Sequence, residues 1–165
     1  LQLLQQAGLS PDKVIPAEID ETPKKAEAPL AYVKRMAAEK LAAAGTPDAV
    51  VLAADTVVAM GRRILPKAED EHTARKCLGQ LSGRRHRVYT AVAVSYKGKT
   101  QQAVVMTQVK FAKLSASDIN AYIASGEWRG KAGGYAIQGL AEAFIPWISG
   151  SHSGVVGLPL AETLR

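Results

Sequence analysis

A single carboxylate lies in the middle of an apolar, valine-rich segment. Residues 50–60 have the sequence Val-Val-Leu-Ala-Ala-Asp-Thr-Val-Val-Ala-Met, followed by Gly61. This short, β-branched run predicts a buried strand rather than a helix. Aspartate is disfavoured in strands, and burying a carboxylate without a partner is costly. Asp55 therefore either accepts hydrogen bonds from a neighbouring turn or serves a metal ion, a cation or a reaction.

The length and composition are those of an ordinary globular protein. The chain has 165 residues, 47% hydrophobic and 22% charged, so we expect a single domain over residues 1–165. No segment approaches the roughly 20 consecutive apolar residues of a membrane span, and no secretion signal is recognisable. A cytoplasmic protein without a membrane partner is the simpler expectation. The single Cys77 cannot form an internal disulfide and is expected to be a small core residue.

The charge of the chain favours an anionic partner. The net charge is +6 and the pI is about 9.5, and phosphates are the commonest anionic ligands. Aromatic residues make up only 5% of the chain, the lysines and arginines are dispersed, and no nucleic-acid-binding signature is present. These features favour a small phosphorylated ligand, and we expect no nucleic-acid partner. A weak nucleic-acid binder would rest on net charge alone.

Two lysines are placed where they could meet such an anion. A helix is predicted over residues 29–44, with Pro29 near its first turn and Gly45 after its end. Lys40 lies on the apolar face of this helix, so its ammonium either snorkels to the surface or points at a ligand phosphate. Lys67 follows a hairpin-like unit and is stiffened by the preceding proline, which lowers the entropy lost on binding an anion.

The remaining elements follow from periodicity and turn residues. Helical spacing is present at residues 1–8, and a capping box at Ser115–Asp118 begins a helix that ends at Gly126. The other predicted elements are a strand at 13–16, a hairpin-like unit at 50–65, a helix at 69–81, a long antiparallel hairpin from 88–94 and 101–111, and a helix start after Pro159.

Three further features are open to two interpretations. The carboxylates of residues 18–21 form either a solvated loop or a source of a metal-binding or catalytic group. His86 has no second histidine or cysteine at ligand spacing, so a structural hydrogen bond is favoured over a metal. Residues 126–139 are rich in glycine, which allows close approach to a ligand but also suits a flexible loop.

Several segments together resemble the Maf family of nucleoside triphosphate pyrophosphatases. In the family's order, they are Ala53-Ala-Asp-Thr-Val-Val58, Leu81-Ser-Gly-Arg-Arg-His-Arg-Val88, Gly126-Glu127 with Lys131-Ala-Gly-Gly-Tyr-Ala-Ile-Gln-Gly139, and Val156-Gly-Leu-Pro159. The resemblance implies an α/β fold similar to that of the ITPases, with a central mixed, strongly twisted sheet flanked by helices and two lobes around a nucleotide cleft. It also implies a cytoplasmic enzyme, often a homodimer.

The resemblance further implies an activity and its residues. The reaction is hydrolysis of a nucleoside triphosphate to the monophosphate and pyrophosphate, assisted by Mg²⁺ or another divalent cation such as Mn²⁺. Asp55 matches the catalytic proton acceptor, and Asp55 and Glu21 are the candidate metal ligands. Thr56 and Gln138 match positions tied to base choice. The sequences Asp55-Thr56 and Ile137-Gln138-Gly139 resemble those of the dTTP/UTP branch. The positions expected to bind substrate are Glu21, Lys40, Lys67, Thr56 and Gln138.

The chain departs from the family pattern in three places. The family's opening Ser-x-Ser-Pro-Arg-Arg loop, with the strand before it, has no counterpart in residues 1–165. Gly130 replaces a common aspartate, and Pro66-Lys67-Ala68 replaces Gly-Lys-Pro. A non-catalytic nucleotide-binding regulator of cell division is the alternative, because the same lysines and glycines would serve binding without hydrolysis.

Overall fold

A computed structural model describes residues 1–45 and 48–165. In chain order its elements are α1 Gln2–Gln6, α2 Pro29–Ala43, β1 Val51–Met60, β2 Arg63–Leu65, β3 Lys67–Ala68, α3 Glu71–Leu81, β4 Arg85–Tyr96, β5 Lys99–Lys110, α4 Ala116–Ser125, β6 Lys131–Ala132, a 3₁₀ helix Leu140–Phe144, β7 Trp147–Ser149, α5 His152–Val156 and α6 Leu160–Thr163. Most predicted elements are confirmed. The strand predicted at residues 13–16 is wrong, because that segment is irregular and largely exposed.

The main sheet has five strands in the order β2-β1-β4-β5-β7. β1 pairs with β4 from Val51 opposite Ser95 to Ala59 opposite Arg87, and β4 continues into β5 through a tight turn at Lys97-Gly98. The α/β class with a central sheet and flanking helices is confirmed. A mixed sheet was predicted, but every pairing among the described residues is antiparallel. Hairpins account for two of these pairings, β1 with β2 and β4 with β5.

The two faces of the sheet bury separate cores. Side chains alternate along a strand, so Val57 packs under α2 while Val58 faces α3, α4 and the C-terminal segments. The α2 side is built on Tyr32, Val33, Met36, Ala37 and Leu41. A separate two-stranded ribbon, β3 with β6, places Lys67 opposite Ala132 beside the sheet. No helix in the described part of the chain is both long and apolar enough to cross a membrane.

His86 lies in the larger core and has the structural role predicted for it. It is 3% exposed, and its Nε2 lies 2.7 Å from the Tyr135 hydroxyl. Its ring packs edge-on against the rings of Phe111 and Tyr135. Burial lowers the pKa of His86 to about 4, because the charged imidazolium would lose its hydration. The folded protein therefore holds this histidine neutral through the physiological range.

This lowered pKa makes stability depend on pH. Below pH 6.5 the unfolded chain protonates His86 while the folded chain does not, so stability is lost as the pH falls from about 6.5 towards about 4. The contribution of this residue at pH 5 is about 2 kcal/mol less than at pH 7.5. Urea unfolding at both pH values should show this loss in the wild type and not in His86→Gln. His72 is exposed and provides the control, so His72→Gln should lose as much stability at pH 5 as the wild type does. An equal loss in His86→Gln would contradict the assignment.

Candidate active site

Four charged side chains form a continuous chain of alternating sign beside β1. The Lys40 ammonium lies 2.5 Å from Asp55 Oδ1 and 2.7 Å from Glu21 Oε1. The second oxygen of Glu21 accepts a short hydrogen bond from Lys67. These residues come from four separate stretches of the sequence, so the fold brings together a set that only the resemblance connected.

The Lys40 and Glu21 side chains are positioned by α2. Its apolar face packs on β1, which carries Lys40 in the last helical turn towards Asp55. The Tyr32 hydroxyl donates to the backbone carbonyl of Glu21 at 2.8 Å. Arg35 donates to Glu27 at 2.7 Å and to the carbonyl of Thr22 at 3.2 Å. These contacts hold the irregular acidic segment against the helix and fix where the Glu21 carboxylate lies.

Asp55 is enclosed by the fold but remains in contact with a cavity. Its relative exposure is 7%. Burial raises the pKa of Asp55 above its usual value, and the hydrogen bond from Lys40 opposes that rise. An ionised carboxylate with a raised pKa is a better proton acceptor near neutral pH than an exposed aspartate. The site thus pairs a buried carboxylate with an ammonium group that favours its charged form.

The hydrogen bonds of the cluster also set the pKa values of its other members. Burial acts to lower the pKa of Lys40, but the carboxylates of Asp55 and Glu21 outweigh it and leave that pKa raised. Burial acts to raise the pKa of Glu21, but hydrogen bonds from Lys40 and Lys67 leave it lowered. Both groups are therefore charged across the physiological range, and Lys40 can meet phosphate oxygens as a full cation.

A cavity of about 240 Å³ opens beside this cluster. Asp55 and Thr56 point to opposite faces of β1, and both line the cavity. Among the described residues, β2 pairs with β1 only from Val58 onwards, which leaves the edge of β1 next to Asp55 and Thr56 without that partner strand. Lys67 and Gln138 line the same cavity. A neighbouring cavity of about 460 Å³ is lined by Glu21 and shares Thr56 and Lys67 with the first. Five of the six predicted positions line one or both cavities. Lys40 lines neither, but its ammonium contacts Asp55 and Glu21, which do.

The glycine-rich segment forms one wall of the cavity. Gly133 has φ +67°, and a Cβ on it would lie 2.9 Å from Val58 Cγ1. At Gly139 the side chain of Glu127 occupies the space that a Cβ would need, and it accepts a hydrogen bond from the Leu140 amide at 2.8 Å. These close approaches favour the binding-loop interpretation over a flexible surface loop, because they fix the backbone on both sides of Gln138.

Lys131 is a cavity residue that sequence reasoning missed. It lies on β6, opposite Ala68 of β3, so Lys67 and Lys131 are near neighbours on the two-stranded ribbon. Both line the cavity. The pairing of β3 with β6 joins residues more than 60 positions apart, which no local periodicity reveals. The position of Lys131 within the Lys131–Gly139 motif was the only feature of the sequence that pointed to a role for this lysine.

The donor atoms near Asp55 suit a hard divalent cation that also binds substrate. Mg²⁺ is usually held by one or two carboxylates together with substrate phosphates. Asp55 and Glu21 supply two carboxylates that converge on one ammonium group. Within residues 1–45 and 48–165 no group of three or more histidine, cysteine or acidic side chains could hold a metal by itself. These two carboxylates are of the donor type that such a cation takes together with phosphate oxygens.

The chain is similar to known proteins along its whole length. The chain is 59% identical to a dTTP/UTP pyrophosphatase of Novosphingobium aromaticivorans, over all of this chain and 84% of that protein. It is 59% identical to one of Cereibacter sphaeroides, over 98% and 85% of the two chains, and 54% identical to one of Brucella abortus, over 99% and 83%. The family model described as Maf-like protein matches residues 1–165, and the chain therefore belongs to the Maf family.

Proposed function

We propose that this protein hydrolyses dTTP and UTP, and modified pyrimidine nucleotides of the same kind, to the monophosphate and pyrophosphate. The observation that carries the proposal is the contact between Asp55 and Lys40 at the edge of a cavity that Thr56 and Gln138 also line. This contact brings a proton acceptor and a cation next to the side chains proposed to recognise the nucleobase. The relatives named dTTP/UTP pyrophosphatases support the choice of substrate.

Asp55 is the proposed proton acceptor. Splitting the bond between the α and β phosphates requires a water molecule aligned opposite the leaving pyrophosphate. Asp55 orients this water and takes its proton, and its raised pKa suits that role. Asp55 lines the cavity although it is only 7% exposed.

Lys40, Lys67 and Lys131 are proposed to contact phosphate oxygens. Without substrate, Lys40 and Lys67 are neutralised by Asp55 and Glu21. A triphosphate offers stronger acceptors, so each lysine can exchange a carboxylate partner for a phosphate oxygen without losing its pairing. This exchange frees the carboxylate oxygens that the ion pairs occupy. Charge developing on the leaving group is then met by ammonium groups already in place.

Asp55 and Glu21 are the proposed ligands of Mg²⁺ or another divalent cation such as Mn²⁺. When bound, the metal would neutralise phosphate charge and help to align the substrate. Gln138 can donate a hydrogen bond through its side-chain amide, which matches a ring carbonyl of uracil or thymine. We further propose a cytoplasmic homodimer, as the family resemblance implies.

A nucleotide panel tests the function. The protein is incubated with Mg²⁺ and UTP, dTTP, CTP or dGTP, and pyrophosphate is measured. We expect release from UTP and dTTP that exceeds release from the other two and that stops when EDTA removes the divalent cation. Saturable binding of UTP without any pyrophosphate would contradict the proposal and would indicate the non-catalytic regulator instead.

A further inference from the structure

Three groups beneath the cavity are joined in one hydrogen-bonded line. Thr56 of β1 and Thr90 of β4 are directly opposite each other in the sheet, and their hydroxyl oxygens are 3.0 Å apart. The Thr90 hydroxyl also lies 2.6 Å from the backbone carbonyl of Gly154 in α5. Thr90 is 1% exposed and is not part of the cavity wall, whereas Thr56 is.

The direction of these bonds is fixed by proton counting. A hydroxyl carries one proton, and a carbonyl oxygen can only accept. Thr90 therefore donates its proton to the carbonyl of Gly154. In the bond between Thr56 and Thr90, Thr90 is then the acceptor and Thr56 is the donor. The buried position of Thr90 makes leaving either bond unmade costly. The Thr56 hydroxyl consequently has a free lone pair but no free proton.

The Thr56 hydroxyl lies beside the cavity wall. Thr56 lines the cavity, and the nearby wall is formed by Gly157, where even an added Cβ would lie 3.9 Å from Thr56 Oγ1. A ligand group that meets this oxygen must supply the proton itself. The lining therefore selects for an N–H or O–H donor at this point, whatever the shape of the rest of the ligand.

We propose that Thr90 is a positioning residue that sets base choice by fixing the Thr56 hydroxyl as an acceptor, which takes the ring N3–H of uracil or thymine. Cytosine presents an unprotonated N3 with a lone pair in the same place, so the two acceptors repel each other. This inference rests on the proposed function and extends it to a residue outside the cavity. Gln138 cannot supply this discrimination alone, because its amide can rotate to present either group.

Replacing Thr90 by valine tests the inference. Valine keeps the shape of threonine but accepts no hydrogen bond, so the Thr56 hydroxyl becomes free to rotate and to donate to cytosine N3. We expect the ratio of kcat/KM for UTP to that for CTP to fall about tenfold in Thr90→Val. Thr90→Ser keeps the hydroxyl, so its ratio of kcat/KM for UTP to that for CTP should equal that of the wild type. An unchanged ratio in Thr90→Val, with UTP turnover retained, would overturn the inference while leaving the proposed function standing.

Thr107 provides a matched control. It is also a 1% exposed threonine of the same sheet, and it bonds the backbone of Ser151, near α5. Thr107→Val removes a comparable buried hydroxyl but leaves the contact between Thr56 and Thr90 in place. Its ratio of UTP to CTP should remain that of the wild type. A fall equal to that of Thr90→Val would show that movement of α5, and not bond direction, sets base choice, and would overturn the inference.

A measurement on the unmodified protein covers the case in which Thr90→Val fails to fold. UTP methylated at N3 lacks the proton that the Thr56 oxygen must receive. The wild type should use it at least tenfold less efficiently than UTP, by kcat/KM. Equal use of the two nucleotides would overturn the inference. Failure of the wild type to hydrolyse or bind any pyrimidine triphosphate would overturn both the inference and the function on which it rests.

Discussion

Replacing Asp55 by asparagine should abolish pyrophosphate release from UTP and dTTP while leaving the fold intact. Asparagine has nearly the same shape but cannot take a proton from water, and loss of a general base alone lowers a rate by roughly 10²- to 10⁴-fold. The fold should persist because Lys40 keeps its second partner, Glu21, at 2.7 Å. Pyrophosphate release and the thermal unfolding midpoint are measured on the same preparation.

The control for this substitution is Asp12→Asn. Asp12 is an exposed aspartate in the irregular segment after α1, and its replacement should change neither the rate nor the unfolding midpoint. Turnover by Asp55→Asn within a few fold of the wild type would remove Asp55 from the chemistry. Loss of activity with loss of the folded state would instead give the carboxylate a structural role.

Replacing Lys40 by methionine should damage both catalysis and stability. The substitution removes a cation proposed to contact phosphate, which should lower kcat/KM by about 10²-fold or more. It also leaves the Asp55 carboxylate buried without its 2.5 Å partner. Breaking such a pair should lower the free energy of unfolding by about 2–4 kcal/mol, somewhat less than for a fully buried pair because the Lys40 side chain is 18% exposed.

The stability defect of Lys40→Met should depend on pH. Without the lysine, burial raises the pKa of Asp55 further above its unfolded-state value, so the variant is destabilised wherever the folded protein must hold the charged carboxylate. The defect should therefore be large at pH 8 and should shrink at pH 5, as the folded state gains a proton. Lys34→Met, at an exposed position of the same helix, is the control. A defect independent of pH would contradict the pairing of Lys40 with Asp55.

Several elements could be predicted because their signals are local. The Val-rich run around Asp55, the capping box at Ser115 and the Lys97-Gly98 turn each depend on residues close in sequence, and each is present in the structure. The same local rules failed at residues 13–16, where apolar residues suggested a strand. That segment has no strand partner in the described part of the chain, and a strand is not stable without one.

The charges of the site could not be placed by pattern alone. Lys40 could equally have snorkelled to solvent, and only the packing of α2 on β1 places it against Asp55. The ribbon that adds Lys131 to the cavity depends on pairing between distant segments. The direction of the bond between Thr56 and Thr90 depends on the carbonyl of Gly154, 64 residues beyond Thr90. These three contacts are properties of the tertiary structure, and residue spacing in the sequence does not predict them.

The most direct test of the account is to identify the phosphorus atom that water attacks. UTP is hydrolysed by the wild type with Mg²⁺ in ¹⁸O-labelled water, and the products are analysed by mass spectrometry. A water activated by Asp55 opposite the leaving pyrophosphate predicts one heavy oxygen in UMP and none in the pyrophosphate. Label in the pyrophosphate, or release of UDP and inorganic phosphate, would contradict that claim.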